Sequence, residues 1–539
     1  MTQPFGLASK GGLYTSISQL EMLAQPGIAT ILRNFEVDSN GGYRRINGFT
    51  QFGENNAVRP EASEIVQGVY PYADGVVVCV GENIYFSIDG QSWLQINRAA
   101  VAVGGDDYAT FTGRAVATRT NQGQASFVLF EGSTFKYGEL IIADGANKLY
   151  SFRIEGTGDI TTRTFFANEI TVDGTNAVKY ITIHDHHLIA AGVENNLSTV
   201  YYSVYNDPDN FTGSGAGAVT ISDQIQGIKG FRQDLIVFAQ NSLHKLININ
   251  DTANIRIDPI TENVGCISGY SIQEIGGDLL FLSPDGLRTI AGTARIGDVE
   301  LGSVSRPIRS ILENITNNID ILRVTSTVIR SKSQYRLFYS VPTGVNATAD
   351  SSAKGIIATL TTNGFQYAET LGIKPTSISS AFTAQGIEKT FHGDADGYIY
   401  NHDKGFSFNT AGVESKINAA YQTPSLDFGD AGTRKTVYYV KLSISPEGEV
   451  QPSLRIRFDY EDPTVAQPLD YLFDQIPLPS ILGTGRFGTS VFGAPTDPLV
   501  RKAVQGSGNT VSFIVKSNDT NASYTVNGMY VDYSPSGRR

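Results

Sequence analysis

One hydrophobic and polar pattern recurs along most of the chain: a turn pair of Asn, Asp or Gly, then about five residues that alternate or run wholly apolar, then another turn. The turn pairs are Asn40-Gly41, Asn47-Gly48, Asp74-Gly75, Asp89-Gly90, Asp144-Gly145, Asp173-Gly174, Asp285-Gly286, Asn363-Gly364, Asp396-Gly397 and Asn527-Gly528. These residue types tolerate positive φ, so each pair favours a two-residue hairpin turn. Between them Gly75 to Val80, Leu140 to Ile142, Leu235 to Phe238, Leu279 to Leu282 and Tyr335 to Tyr339 read as short strands.

Six of these units align as degenerate copies, each a polar or glycine turn leading into a strand that ends in an aromatic or aliphatic pair. They begin at Gly81, Gly145, Asn196, Gln240, Pro284 and Asp396. The first five starts lie 64, 51, 44 and 44 residues apart, and the last follows after about two periods. A hairpin repeat of roughly 40 to 60 residues predicts a β-propeller with one blade per unit. Unrelated hairpins in a sandwich are the alternative.

Helix is expected in few places. Ser305 can cap a helix with Pro307 in its first turn, and Ile308, Ile311, Leu312 and Ile315 then follow the spacing of one apolar face. A helical turn is also possible around Ser18 to Ala24, closed by Pro26. After about residue 411 the strands lengthen, at Val437 to Ser443, Leu454 to Tyr460, Val511 to Val515 and Tyr524 to Tyr533. The expected plan is all-β: an N-terminal arm and hairpin over 1–60, a β-propeller over 61–410, and a separate C-terminal β-rich domain over 411–539. Within the last, Asp474 to Asp497 reads as a long exposed loop carrying apolar side chains, of the kind that becomes buried on assembly.

Composition narrows the function classes. The 56 Gly, 20 Pro, 26 Tyr and 28 Phe suit turn-rich β structure. Lys and Arg number 41 against 53 Asp and Glu, a net charge of −12, which argues against a grip on duplex DNA through clustered cations. Cys79 and Cys266 lie far apart in apolar stretches and suit small buried hydrophobes better than a disulfide or a metal knuckle. Met1 to Lys10 lacks the cationic start and apolar block of a secretion signal, and apolar runs such as Val76 to Val80 are too short to span a bilayer. A soluble chain is expected.

Candidate chemistry is sparse. His184 and His186 would share a face if His184-Asp185-His186-His187 were strand, and two imidazoles at that spacing could hold Zn or Ni, but no third ligand is nearby. A polar strand opening the apolar Leu188 to Ala191 is the favoured reading. Asp394-Ala-Asp396-Gly397 starts like a calcium loop, yet Gly405 stands where a bidentate Glu is needed, so it reads as a hairpin turn. Gly483-Thr-Gly485-Arg-Phe-Gly488 matches a dinucleotide fingerprint by letter only, following Pro477 and Pro479 in a loop. Ser87 to Trp93 comes close to the Asp-box turn of sialidase-type propellers, once and incompletely. Tyr43-Arg44-Arg45 and Arg538-Arg539 are the visible basic spots; adjacent arginines on a strand point to opposite faces, which suits surface ion pairs or a subunit contact rather than a DNA groove. No residue is assigned a catalytic, cofactor-binding or metal role, and the chain is read as a non-enzyme without a cofactor.

The motifs Gly11-Gly12-Leu13, Leu32-Arg-Asn34-Phe35-Glu36 and Gly41-Gly42-Tyr43-Arg44-Arg45-Ile46-Asn47-Gly48-Phe49 resemble the N-terminus of tail hub or nozzle proteins of short-tailed bacteriophages, also called tail stabilisation or tail tubular proteins. Phe281 to Arg288, Ser305-Arg-Pro-Ile308, His392 to Tyr400 and Gly537-Arg538-Arg539 extend the resemblance over most of the chain. It implies a β-propeller protein of the virion tail, assembled in the host cytoplasm as a homohexameric ring below the portal and the adaptor, or head-to-tail connector. The ring would extend the channel that retains and then ejects the genome, and would meet a tail fibre, needle or tip protein. Six copies at −12 each would repel the DNA backbone, so the genome would slide without sequence-specific binding. The N-terminal arm and the loop 474–497 are the expected inter-subunit or inter-ring contacts. The alternative is a glycan-binding or glycan-cleaving β-propeller acting in host receptor recognition, motivated by the aromatic content and the Asp-box-like turn.

Overall fold

The computed structural model describes residues 2–96, 102–103, 123–132, 135–156, 164–174, 176–251, 254–291, 303–319, 322–341, 353–476, 479–480, 491–492 and 499–538. The chain is predominantly β, and six small sheets are arranged as a six-bladed β-propeller with further strands beyond it. The inner strands of the six blades are Val66–Tyr72, Ser126–Phe130, Tyr180–His184, Ile225–Phe231, Gln273–Ile275 and Ser377–Phe382. Each blade continues outward as an antiparallel meander. The six copies aligned by sequence are the third strands of these blades with their entering turns, for instance Asn83–Ser87, Leu149–Glu155 and Ile399–His402.

The long gap between the fifth and sixth copies has a structural cause. Arg323–Ile329, Gln334–Ser340, Lys354–Thr361 and Gly364–Leu371 form a meander between the fifth and sixth blades, but its last strand continues into a nine-stranded sheet. Seven inner strands therefore surround the centre, six from the blades and Arg323–Ile329 from the larger sheet.

The wholly apolar strands are explained by blades covering each other's faces. Successive side chains on a strand point to opposite faces. In Gly75–Val80, Val77 and Cys79 pack with Leu140 and Ile142 of the second blade, whereas Val76, Val78 and Val80 pack with Phe391 and Ile399 of the sixth. In the second blade, Ile141 and Ala143 turn toward Leu188 and Ala190 of the third. A strand buried on both faces has no solvent-facing positions to fill with polar residues. Cys79 and Cys266 are both buried, and neither is in a disulfide.

The region 411–539, expected as a separate domain, shares sheets and core with the rest. From Gly364–Leu371 the nine-stranded sheet passes through Ile31–Arg33, Ile417–Gln422, Val511–Asp519 and Ser453–Phe458 to Tyr471–Leu472. A seven-stranded sheet joins Gln3–Ala8, Phe35–Val37 and Tyr43–Arg45 to Thr433–Pro446, Leu499–Ala503 and Tyr524–Arg538. One hydrophobic core runs from Leu7 through Leu280, Ile308 and Tyr335 to Val531. The stretch 1–60 does contain the expected hairpin, Phe35–Val37 with Tyr43–Arg45. Its next strand, Phe49–Gln51, extends the sixth blade by pairing with Ile399–His402. Local periodicity shows that a strand exists; it does not show partners hundreds of residues away. The loop expected over 474–497 lies largely outside the described residues.

In three of the ten turn pairs the glycine lacks the expected positive φ. Gly41, Gly90, Gly145, Gly174, Gly286, Gly364 and Gly397 have positive φ, whereas Gly48, Gly75 and Gly528 do not. Gly528 lies inside the strand Tyr524–Arg538, where an added Cβ would stand 2.4 Å from the Leu7 carbonyl oxygen. The same letter serves close approach there rather than a left-handed turn.

The expected helix is present as a 3-10 turn Arg306–Ile308 followed by Arg309–Asn317, with Leu312 and Ile315 buried. Ser305 does not cap it; its Oγ accepts from the Leu287 N–H at 2.9 Å. The short helix Gln19–Met22 matches the other expected turn, and Ser18 Oγ accepts from Glu21 N–H. Among the described residues no helix is long and apolar enough to cross a membrane.

Candidate functional site

The histidine run forms a tight hairpin. His184 ends one strand, His187 begins the next opposite it, and Asp185 and His186 make the turn with φ of +48° and +62°. His184 and His186 thus do not share a strand face. His187 is held by the Ser203 carbonyl at 2.6 Å and Asn250 Oδ1 at 2.9 Å, and burial lowers the pKa of His184. The strand His187–Val193 is buried throughout, in keeping with the polar-opening reading. Among the described residues no three His, Cys, Asp or Glu side chains are placed to hold a metal ion.

The other sequence motifs are structural as well. Asp394 Oδ1 accepts from the N–H groups of Asp396 and Tyr398, both at 2.9 Å, and its Oδ2 from the Tyr400 hydroxyl at 2.7 Å, which fastens a hairpin turn. In the Asp-box-like turn Asp89 Oδ1 accepts from Gln91 N–H at 2.9 Å and Ser87 Oγ from Gly90 N–H at 2.8 Å. Trp93 is buried and donates its indole N–H to the Val58 carbonyl at 2.7 Å. The Gly483 to Gly488 fingerprint and Arg539 lie outside the described residues, and Arg538 ends the strand paired with Thr433.

The arginines of Tyr43-Arg44-Arg45 do diverge, but neither is the surface group that was expected. Arg45 is fully buried beneath the loop after Val511–Asp519, donating to the Asp519 and Asn521 carbonyls at 2.6 Å each. Arg44 enters a charged cluster that joins four parts of the chain. Glu36 accepts from Arg44 at 2.9 Å, from Lys332 at 2.9 Å and from Arg336 at 2.9 Å. Lys332 and Arg336 also reach Asp403, at 2.7 and 3.2 Å, and Arg44 reaches Glu447. Burial alone would raise the pKa of Asp403, but Arg336 and Lys332 override it and hold the carboxyl below its ordinary value. Arg336 Nη1 lies 3.0 Å from His402 Nε2. A guanidinium can only donate, so Nε2 accepts and His402 carries its proton on Nδ1, facing His392 Nδ1 at 3.3 Å. Burial accordingly drives His402 well below its usual pKa and His392 to about 3.

The centre of the propeller is a different environment. A cavity of 450 Å³ is walled by all seven inner strands, its lining mixing Ser and Thr with aliphatic and aromatic side chains. Several of these polar groups are satisfied within the wall: Ser326 Oγ donates to the Tyr270 carbonyl at 2.6 Å, and Gln273 Nε2 to the Ser326 carbonyl at 3.1 Å. A second cavity of 440 Å³ adjoins it and shares Gln124, Tyr180, Gly269 and Tyr270. Among the described residues four cations face this passage, Lys229 and Arg330 on the first cavity, which Glu131 also lines, and Lys179 and Arg323 on the second. None was singled out by sequence. They lie in three separate strand regions, and no local motif links residues 179, 229 and 323.

No protein-family model matches this chain, and no curated protein matches it. Among solved structures, the CNH domain of AfRom2 aligns with 64% of this chain and 96% of its own at 13% identity and a TM-score of 0.31. BBS1N, from its complex with ARL6DN, aligns with 64% of this chain and 98% of its own at 7% identity and a TM-score of 0.35. PorZ, a surface component of the type-IX secretion system of Porphyromonas gingivalis, aligns with 70% of this chain and 44% of its own at 12% identity and a TM-score of 0.32. At such TM-scores these likenesses carry nothing about function.

Proposed function

We propose that the chain is a structural subunit of a bacteriophage tail, a hub or nozzle that assembles with five further copies into a ring extending the DNA channel below the adaptor. The observation that carries this reading is the body outside the blades, where described strands between residues 3 and 45 and between 417 and 538 are woven into two broad sheets fused to the propeller. Exposed large apolar side chains gather there: Tyr438, Tyr460, Leu469, Leu472, Leu499 and Tyr530. Leu469 and Leu472 flank Tyr471, whose hydroxyl accepts from Gln505 N–H at 3.0 Å, so this segment adjoins the one that begins at Leu499. Exposed apolar groups on adjoining edges suit burial against a neighbouring copy. The motif resemblance points the same way.

A cavity of 450 Å³ is the size of a small-molecule site and cannot admit a nucleic-acid duplex. In this proposal the DNA path therefore runs between subunits and not through the propeller. Electron cryomicroscopy of the virus particle that encodes the chain tests the reading. Six copies around the axial channel below the adaptor are expected, and absence from that axis would overturn it. Saturable binding or cleavage of host surface polysaccharide by the isolated chain would instead favour the receptor-recognition alternative.

A further inference from the structure

Two cations face one end of the central passage with no anion beside them. Lys179 immediately precedes the inner strand Tyr180–His184, and Arg323 is the first residue of Arg323–Ile329. Both line the 440 Å³ cavity, whose described walls contain no carboxylate. The Lys179 ammonium lies 5.1 Å from the ring centre of Tyr180 and 6.0 Å from that of Tyr270, and among the described residues no anion pairs with it. Arg323 donates Nε to the Thr376 carbonyl at 2.7 Å, while its Nη2 is buried and has no hydrogen-bond partner. Further along the passage, Lys229 makes no hydrogen bond or ion pair among the described residues, though the charge of Glu274 acts on it.

A cation withdrawn from water without an anion or acceptors destabilises the fold, so buried charges are ordinarily paired. Elsewhere this chain follows that rule, as the cluster around Glu36 shows. Burial lowers the pKa of Lys179 and Lys229, and brings Arg323 to about 10. The chain as a whole is acidic at −12, so unpaired cations in its centre are not a by-product of general basicity. A guanidinium fork and an ammonium lining one cavity match the oxygen atoms of a phosphoryl group, and the space fits a small molecule.

We propose that this end of the passage binds a small phosphate-bearing anion between Lys179 and Arg323, with Lys229 drawing a second charged group inward. Inorganic pyrophosphate is a suitable probe. Calorimetric titration of the full chain at fixed ionic strength should give saturable binding with one site per chain. Lys179→Met should weaken it at least tenfold and Lys179→Arg should restore most of it, with the melting temperature of unliganded Lys179→Met unchanged or raised. If Lys179→Met fails to fold, Lys229→Met provides the second reading, with weaker binding again expected. Absence of saturable heat, or binding left unchanged by these variants (an adventitious ion only), would overturn the proposal. The measurement uses the isolated chain, so its result is independent of where the chain sits in a particle.

Discussion

Glu36 accepts three cationic donors while almost wholly removed from solvent, and its replacement leaves Lys332 and Arg336 to share Asp403 and Arg44 with Glu447 alone. Breaking a buried pair from one side costs about 3–5 kcal/mol. Glu36→Ala should therefore lose stability of that order in urea unfolding, and a loss below about 1 kcal/mol would mean the cluster behaves as a surface pair. Acid should act through the neighbouring histidines. His392 has a folded pKa of about 3 against an ordinary 6.5, so the unfolded chain takes up the proton first as pH falls. Stability is complete above about pH 6.5 and declines toward pH 3, by about 1.4 kcal/mol per pH unit for each such histidine. Asp403, held below its ordinary value, adds a further loss only as pH falls below the usual carboxylate range near 4. His392→Gln should flatten the upper part of that decline, measured as unfolding midpoints from pH 7 to 4; an unaltered slope would show that His392 is not the group responsible. None of this cluster was visible from sequence. Arg44 was noticed as a basic spot, and Glu36 stands opposite it across the expected hairpin, but Glu447 and the partners at 332, 336 and 403 are beyond the reach of any local rule.

Strands and their repeat were far more legible, because each blade strand is set by an apolar run and a turn within about ten residues. The six aligned copies fell on six third strands for that reason, and the break in spacing marked the meander that leaves the propeller for the larger sheet. Glycine was the less reliable sign, since the letter does not distinguish a turn from a close approach. Gly48 sits between Tyr43–Arg45 and Phe49–Gln51, where an added Cβ would lie 1.7 Å from the Ser407 carbonyl oxygen. Gly48→Ala should cost at least the roughly 1–3 kcal/mol of an overpacked site. Gly174→Ala, with open space around its Cβ position, should cost only the strain of its φ of +58°, about 1–2 kcal/mol. Equal melting temperatures for the two variants would contradict the close-approach reading. Ser305 was misassigned for a related reason: a serine before a helix is a capping candidate by spacing, yet its hydroxyl here serves the Leu287 N–H of the fifth blade. Helix spacing is local, and the competing partner 18 residues upstream is not.

The domain plan was the least legible feature, because it depends on pairings between the two ends of the chain. A fragment covering 61–410 lacks Phe49–Gln51, and with it the Phe49 ring that packs on His392, Tyr400 and Phe408 at 4.9, 5.0 and 5.3 Å. It also leaves Gly364–Leu371 as an open edge without Ile31–Arg33 beside it. Such a fragment should not fold cooperatively or remain monomeric, checked by thermal unfolding and size-exclusion chromatography; a stable monomer with a sharp transition would restore the independent-propeller plan. The same strand imposes a timetable on synthesis. Gln51 and its partner Asn401 are 350 residues apart, an interval that a ribosome adding about 5–20 residues per second covers in roughly 20 to 70 s. Throughout that interval the early strand has no edge to join, and Gln3 waits longer still for Tyr533. The last blade is thus completed only once most of the chain has emerged, and the emergence of Tyr524–Arg538, rather than the folding of any one blade, sets the earliest moment at which the sheets can close.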